Sequence, residues 1–457
     1  MTVNFCSKAS NTPGLIKVFE HYAPLYPQEA CTFNNDAQVL AKARQKEQKM
    51  RKRCELTFTD PKKGPQARYN YLSSLACLQA KMVEANKRRP IKDRLSISQI
   101  LETSKLYKVM IELNEPVAVK DIPKASGCGY RTIYDFGPVA RGAQLLAVEL
   151  IRMAYSPAPF QFNHLGVHAT IEETLRLITE EDYAYVTELD IKDHYPSFST
   201  EALVDWLPLP KSAIMQIIAA SSAQWVIHPS KISSGYNTNI IHPHPLGIPP
   251  GSAASSVVAE FSISKLKMIK VANTALINYA DNFFLLGKDK ISLAYALEAL
   301  RLGIAKLPGG KFTTHPQKSE PNLIRPVTQP FRMLGCHIVK TSDGVDVFPT
   351  ETNLERLEGR LKIGLQSTEA MLIEAEKTAD KNLRLSAVQD YLRLRSYFCA
   401  WVKAFSMCQE LGVIVADIHY TLNELANTFN IGTIELEAAK DASTQCHYYP
   451  NSGVAAY

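Results

Sequence analysis

The spacing of apolar positions changes period along the chain, and each period predicts an element. Residues 37–53 and 69–87 are rich in Ala, Leu, Gln, Lys and Glu and predict helices. Residues 96–113 open with Ser-Ile-Ser-Gln-Ile-Leu-Glu, a serine followed three or four positions on by an amide or acid, which predicts a capped helix. Residues 117–134 alternate about a glycine turn and predict a β-hairpin. Amphipathic helices are expected at 141–153 and 170–179, with the loop Phe160-Gln-Phe-Asn-His-Leu-Gly166 between them. A β-rich run then ends in Asp190, with a turn or short helix near Pro196. Leu246-Gly-Ile-Pro-Pro-Gly251 reads as a loop feeding a helix of small residues. At 275–286 two apolar runs flank the polar tip Tyr279-Ala280-Asp281-Asn282, predicting a second hairpin. Long helical patterns follow at 351–377 and 383–404.

Composition narrows this picture. With 457 residues, 46% of them hydrophobic, the chain can bury a large core and is expected to form two to four domains or subdomains. No apolar run is long enough to span a membrane, and the polar start Met-Thr-Val-Asn-Phe-Cys lacks the regions of a signal peptide, so a cytoplasmic protein with no membrane partner is expected. The nine cysteines are scattered and never form a CxxC pair, which supports neither a disulfide framework nor a zinc site, and His242, His244 and His315 read as loop residues. The net charge of +6 is concentrated in basic stretches at 42–63 and 87–94. Such stretches suit a phosphate backbone, or form solvated helix faces.

Candidate chemistry gathers at two carboxylates. Asp281 lies at the tip of the second hairpin and Asp190 at a strand end; a sheet that sets these strands side by side brings both to one place. Facing carboxylates repel unless cations lie between them, an arrangement suited to two Mg²⁺ ions and in-line phosphoryl transfer. An Asp-Asn pair between apolar runs also makes an ordinary turn. Lys124 and Arg131, on the two arms of the first hairpin, would aim two cations at a triphosphate, or are two surface charges.

The order of these segments resembles the reverse transcriptase family, in its bacterial group II intron-like and retron-like branch. The similarity spans roughly residues 96–430. Lys124, the glycine turn and Arg131-Thr-Ile133 resemble the family's fingers; Arg141-Gly-Ala-Gln144 its helix-opening Arg-x-x-Gln; and Asn163-His-Leu-Gly166 its template-contacting loop. Asp190-Ile-Lys-Asp-His-Tyr-Pro-Ser-Phe198 is similar to the first catalytic palm motif, and Tyr279-Ala-Asp-Asn282 to the palm hairpin. Pro316-Gln-Lys-Ser-Glu320 is similar to the lysine-bearing segment and Phe331-Arg-Met-Leu-Gly335 to the primer grip. The resemblance implies that Asp190, the Ile191 carbonyl and Asp281 bind metal, with Asn282 in support. It places Lys124, Arg131, Asp193, Pro250 and Gly251 near the nucleotide, makes Tyr195 the gate against a 2′-hydroxyl, Lys318 the general acid, and Phe331, Leu334 and Gly335 the primer grip.

It further implies an α+β right-hand polymerase: a basic helical N-terminal extension (1–95), fingers and palm (96–345) with helices on one face of the palm sheet, and a helical thumb (346–430). The polar, tyrosine-rich tail (431–457) offers a hydroxyl for protein priming or a segment to enter the cleft, or is a disordered end or one packed on a neighbour. Expected cofactors are two Mg²⁺, with Mn²⁺ as a substitute. Expected partners are dNTPs, an RNA template or noncoding RNA, the DNA product, and a partner protein or second copy. Two departures stand out: Asn282 replaces the usual second aspartate, and Pro250 a common glutamine. Asn282 opens the alternative of a catalytically silent homologue that binds nucleic acid or scaffolds an active polymerase. With no integrase, RNase H or zinc-nuclease motif following, a stand-alone bacterial enzyme of the defence-associated, antiphage kind is expected.

Overall fold

The computed structural model describes residues 29–87, 89, 94–123, 130–227, 246–315, 323–409, 411–432 and 436. The chain opens with helices α1 (Glu29–Thr57), α2 (Lys63–Ser73) and α3 (Leu75–Lys87). The single helix expected at 69–87 is broken at Ser74, whose extended backbone (φ −76°, ψ 116°) ends α2 while its hydroxyl accepts from the Cys77 amide at the start of α3. Helix α4 (Ile97–Leu106) begins with the expected capping box between Ser96 and Gln99, yet stops short of residue 113. Beyond it Lys108 bridges Glu112 in a tight turn that buries Val109, Met110 and Leu113, and the Leu113 amide donates to Gln216. Burial of those side chains outweighs continued helix.

The first hairpin forms as expected from β1 (Pro116–Pro123) and β2 (Tyr130–Phe136), with Ile122 opposite Arg131. Helix α5 (Pro138–Ala154) follows, then α6 (Gly166–Thr179), β3 (Tyr185–Asp190), α7 (Thr200–Trp206), and α8 (Lys211–Ala213) running into a π-helical turn at Ile214–Ile218. Strand β4 (Gln224–Ile227) pairs parallel with β1, giving the sheet order β2-β1-β4. After the glycine-proline loop come α9 (Ser255–Ile263), β5 (Thr274–Tyr279), β6 (Asn282–Gly287) and α10 (Lys290–Ile304). With β7 (Arg325–Pro326) they complete an antiparallel central sheet, β5-β6-β3-β7.

Strand β6, Asn-Phe-Phe-Leu-Leu-Gly, is apolar at successive positions because it is buried on both faces. Phe283 and Leu285 enter one core, shared with Leu189 of β3, with α9 and α10, and with α1, α2, α3 and α5. Phe284 and Leu286 enter another, shared with Ile171 and Ile178 of α6, and with the C-terminal helices. The expectation of helices on one face of this sheet is therefore corrected: α10 covers one face and α6 the other. The remaining elements are the meander β8 (Phe331–Met333), β9 (Cys336–Lys340), β10 (Val345–Pro349) and helices α11 (Glu351–Thr378), α12 (Lys381–Ala404) and α13 (Leu411–Thr428). No helix among the described residues is long and apolar enough to cross a membrane.

Candidate active site

The central sheet brings the two predicted carboxylates together. Strand β3 pairs with β6 so that Asp190 stands opposite Asn282, and β5 pairs with β6 so that Tyr279 also faces Asn282. Directly opposed residues in such a ladder have Cα atoms about 4.5–5.5 Å apart. Asp281, one residue from Asn282 in a two-residue turn, therefore lies beside the end of β3. Ala280 precedes it in the left-handed region at φ 54°. The Asn282 side chain turns its amide nitrogen to the Asp281 carboxylate, Nδ2 to Oδ1 3.3 Å, rather than leaving both oxygens bare.

A second segment fixes Asp190 from the other side. The His315 amide donates to the Asp190 carbonyl (2.9 Å) and the Lys192 amide to the Thr313 carbonyl (2.8 Å), around an antiparallel bridge between Ile191 and Thr314. In this bridge the flanking residues make the hydrogen bonds, so the Ile191 carbonyl is directed away from Thr314. Among the described residues no cluster of three or more His, Cys, Asp or Glu could hold a metal. Two carboxylates and a carbonyl are hard oxygen donors, and Mg²⁺ commonly takes only one or two carboxylates and fills its remaining positions with water and phosphate. The donor set fits such an ion through Asp190, Asp281 and Ile191.

The turn after β3 carries the next candidates. Asp193 is exposed with φ 45°, a conformation aspartate tolerates, and its carbonyl accepts both the amide (2.9 Å) and hydroxyl (2.8 Å) of Ser197. Tyr195 is half-buried and stacks on His194 at a centroid distance of 5.8 Å. His194 packs against Phe198 and Phe312, and burial pushes its imidazole down to about 4, so it is a neutral aromatic wall behind Tyr195.

The Leu246–Gly251 loop joins this turn to the first hairpin. The Ile248 amide donates to the Tyr195 carbonyl (3.1 Å), and the Tyr134 amide on β2 donates to the Pro250 carbonyl (3.0 Å). Gly251 has φ 98°, and a Cβ there would stand 2.4 Å from the Tyr134 carbonyl oxygen, so no other residue fits. Arg141 donates to the Gly251 carbonyl (3.1 Å) and Gln144, 1% exposed, accepts from the Ala253 amide (3.0 Å). The Arg-x-x-Gln segment thus fastens the loop.

In the loop at 160–165 the amide side chains are turned inward. Asn163 is buried with its amide on the Glu260 carboxylate, and Gln161 donates to the Glu260 carbonyl (3.0 Å). Both amides serve as internal ties; His164 and Leu165 are the exposed members. Burial raises the Glu260 carboxyl to about 7 against the opposing Asn163 hydrogen bond and Arg152 charge. Neither Glu260 nor Asn278 is marked by a motif in the sequence; a lone polar residue within the apolar run Ala-Leu-Ile-Asn-Tyr is the signal for Asn278.

Phe331 is buried, and Leu334-Gly335 (φ 46° and 85°) form the tip of the β8–β9 hairpin, where the Gly335 carbonyl accepts from the Thr350 amide (2.8 Å) and Asn353. Lys124, Lys318, His242 and His244 lie outside the described residues, as do the Arg131 side chain and nearly all of the tail. On α1, exposed Lys42, Lys46, Lys49 and Arg53 recur at spacings of four, three and four, forming one stripe along the helix. Cys54, Cys77, Cys336, Cys399 and Cys408 are free thiols.

Neither protein-family models nor curated protein sequences match the chain. Solved structures that match include telomerase from Candida albicans in complex with a TWJ fragment of telomeric RNA, 11% identical over 74% of this chain and 62% of that one, with a TM-score of 0.33. Apo telomerase from Candida tropicalis matches at 11% identity over 73% and 65% of the two chains, TM-score 0.36. A form of it truncated from the C-terminal domain matches at 13% over 52% and 56%, TM-score 0.32. The chain thus spans about three-fifths of the length of these telomerase chains. Similarity at this level assigns it to no family.

Proposed function

We propose that the protein is a templated DNA polymerase of reverse transcriptase type, transferring nucleotides from dNTPs to a primer 3′-end. The observation that carries this reading is the strand register that sets Asp190 against Asn282 with Asp281 in the adjoining turn. Divalent cations bound there, Mg²⁺ or Mn²⁺, would supply Lewis-acid activation of the 3′-hydroxyl and charge neutralisation at the triphosphate. Asp190, Asp281 and the Ile191 carbonyl would hold the metal, with the Asn282 amide on the Asp281 carboxylate. In this reading Tyr195, whose backbone is gripped by the Leu246–Gly251 loop, flanks the sugar. Asp193, Pro250 and Gly251 border the nucleotide, Lys124 and Arg131 hold phosphates, and Lys318 protonates pyrophosphate. The β8–β9 tip at Phe331, Leu334 and Gly335 steadies the primer, and helices α11 to α13 act as a thumb. The exposed cation stripe on α1 suits the backbone of a template or noncoding RNA.

Incorporation of labelled dNTPs by the purified full chain, with its co-purifying nucleic acid, tests the reading. Incorporation that requires divalent metal and is lost in Asp190→Ala and Asp281→Ala is expected; incorporation unchanged in both variants would refute it.

A second reading, a silent homologue that binds nucleic acid or scaffolds a partner polymerase, is favoured by the Asn282 amide on Asp281, which replaces a charge that would attract metal. Incorporation absent from the natural chain and from Asn282→Asp, with RNA binding retained, would select it. A place in the bacterial retron-like branch and an antiphage role rest on the motif resemblance alone; protection against phage plaques that is lost in Asp281→Ala tests them.

A further inference from the structure

Asn278 interrupts the apolar face of β5 at a position where 1% of its surface reaches solvent. Its backbone is fully engaged away from β6: its amide donates to the Phe160 carbonyl (2.7 Å) and its carbonyl accepts from the Phe162 amide (2.9 Å). Its side-chain Nδ2 reaches forward into the tip, donating to the Ala280 carbonyl (2.9 Å) and the Asn282 carbonyl (3.0 Å). Those carbonyls lie on either side of Asp281, one in the peptide that enters it and one in the residue that follows. The turn they belong to is strained, since Ala280 adopts φ 54°, a left-handed conformation that L-residues rarely take. An apolar residue at 278 would satisfy the core but leave both carbonyls without this donor.

We propose that Asn278 is a positioning residue for the Asp281 carboxylate. It clamps the backbone on both sides of Asp281, fixing the direction in which that carboxylate leaves the turn and its separation from Asp190. The loop at 160–165 is the outer layer of the same brace, since it pairs with Asn278 and is itself tied to Glu260 by Gln161 and Asn163. This inference deepens the reading that Asp190 and Asp281 share a divalent cation, and rests on it. A merely structural asparagine would affect melting alone, whereas a positioning one also sets metal affinity; supporting groups one step behind a ligand typically contribute 10–100-fold to it.

The test is a Mn²⁺ titration of the full chain followed by electron paramagnetic resonance, with thermal unfolding recorded on the same samples without metal. Wild type is expected to show a saturable site that Asp281→Ala removes. Asn278→Ala is expected to weaken Mn²⁺ binding at least about tenfold while the protein still melts cooperatively. Asn278→Ser, which keeps a donor one bond shorter, should fall between and provides the reading if the alanine variant fails to fold. Wild-type affinity in Asn278→Ala or Asn278→Ser, with or without a lowered melting temperature, overturns the inference while leaving the cation reading intact. A saturable wild-type site indifferent to Asp281→Ala, or no such site, overturns the cation reading and this inference with it.

Discussion

At the residue scale, the site depends on groups that do little alone. Asp281 was legible in the sequence because a polar tip between two apolar runs has one simple geometry, and Asp190 because a β-rich run ends at it. Asn278 and Glu260 were not, because their roles depend on partners far away in the chain: Asn278 pairs with Phe160 and Phe162, and Glu260 with Gln161 and Asn163. Asn163 shows the same limit, since the buried carboxylate that its amide meets lies 97 residues further along the chain. Tyr195 carries a specific consequence. Its backbone is held by Ile248 and its ring backed by His194, so shortening the side chain should open space beside it without moving the turn, which under the proposed function is space for the sugar. Tyr195→Ala is expected to incorporate ribonucleotides at least about tenfold more readily relative to deoxynucleotides, the size of effect a pocket contact worth about 1.4 kcal/mol produces; competition between labelled rNTPs and dNTPs measures it.

At the element scale, periodicity identified the hairpins, α5, α6 and the long C-terminal helices, whose apolar faces repeat regularly. It misjudged places where tertiary burial decides, the break at Ser74 and the early end of α4 at Leu106; the second covered face of the central sheet departs instead from what the family resemblance implied. Helix α9 yields a pH prediction. Burial holds the Glu260 carboxyl near 7, above the usual carboxylate range, so the folded protein binds a proton there that the unfolded chain releases between about pH 4.5 and 7. The contribution of Glu260 to stability is therefore fully present below that window and is lost as pH rises through it. Glu260→Gln keeps an acceptor for Asn163 and cannot ionise; its urea midpoint should vary less than wild type between pH 5 and 8 and exceed it at pH 8. A wild-type pH dependence unchanged by this substitution would contradict the assignment.

At the scale of the whole molecule, one central sheet separates two cores, and the candidate site lies at the end of that sheet where β3 meets the β5–β6 turn. The N-terminal helices share the core of one face, so the exposed stripe on α1 is carried by the same packed body as the site. The basic stretch was legible from composition, but its alignment into Lys42, Lys46, Lys49 and Arg53 on one face needed the helix. Replacing these four by glutamine should weaken binding of single-stranded RNA and flatten the slope of log affinity against log salt by up to about 3, at roughly 0.7 per phosphate contact. Filter binding at several salt concentrations measures this, and an unchanged slope would make the stripe a solvated face.

The most direct test of the central claim is the metal dependence of labelled dNTP incorporation by the natural chain, Asn282→Asp and Asp281→Ala. Because Asn282 stands where an added carboxylate would face Asp190 across the ladder, Asn282→Asp is expected to raise incorporation and lower the Mg²⁺ concentration it requires, while Asp281→Ala abolishes it. Incorporation that survives in Asp281→Ala, or that is absent from both the natural chain and Asn282→Asp, would contradict the account.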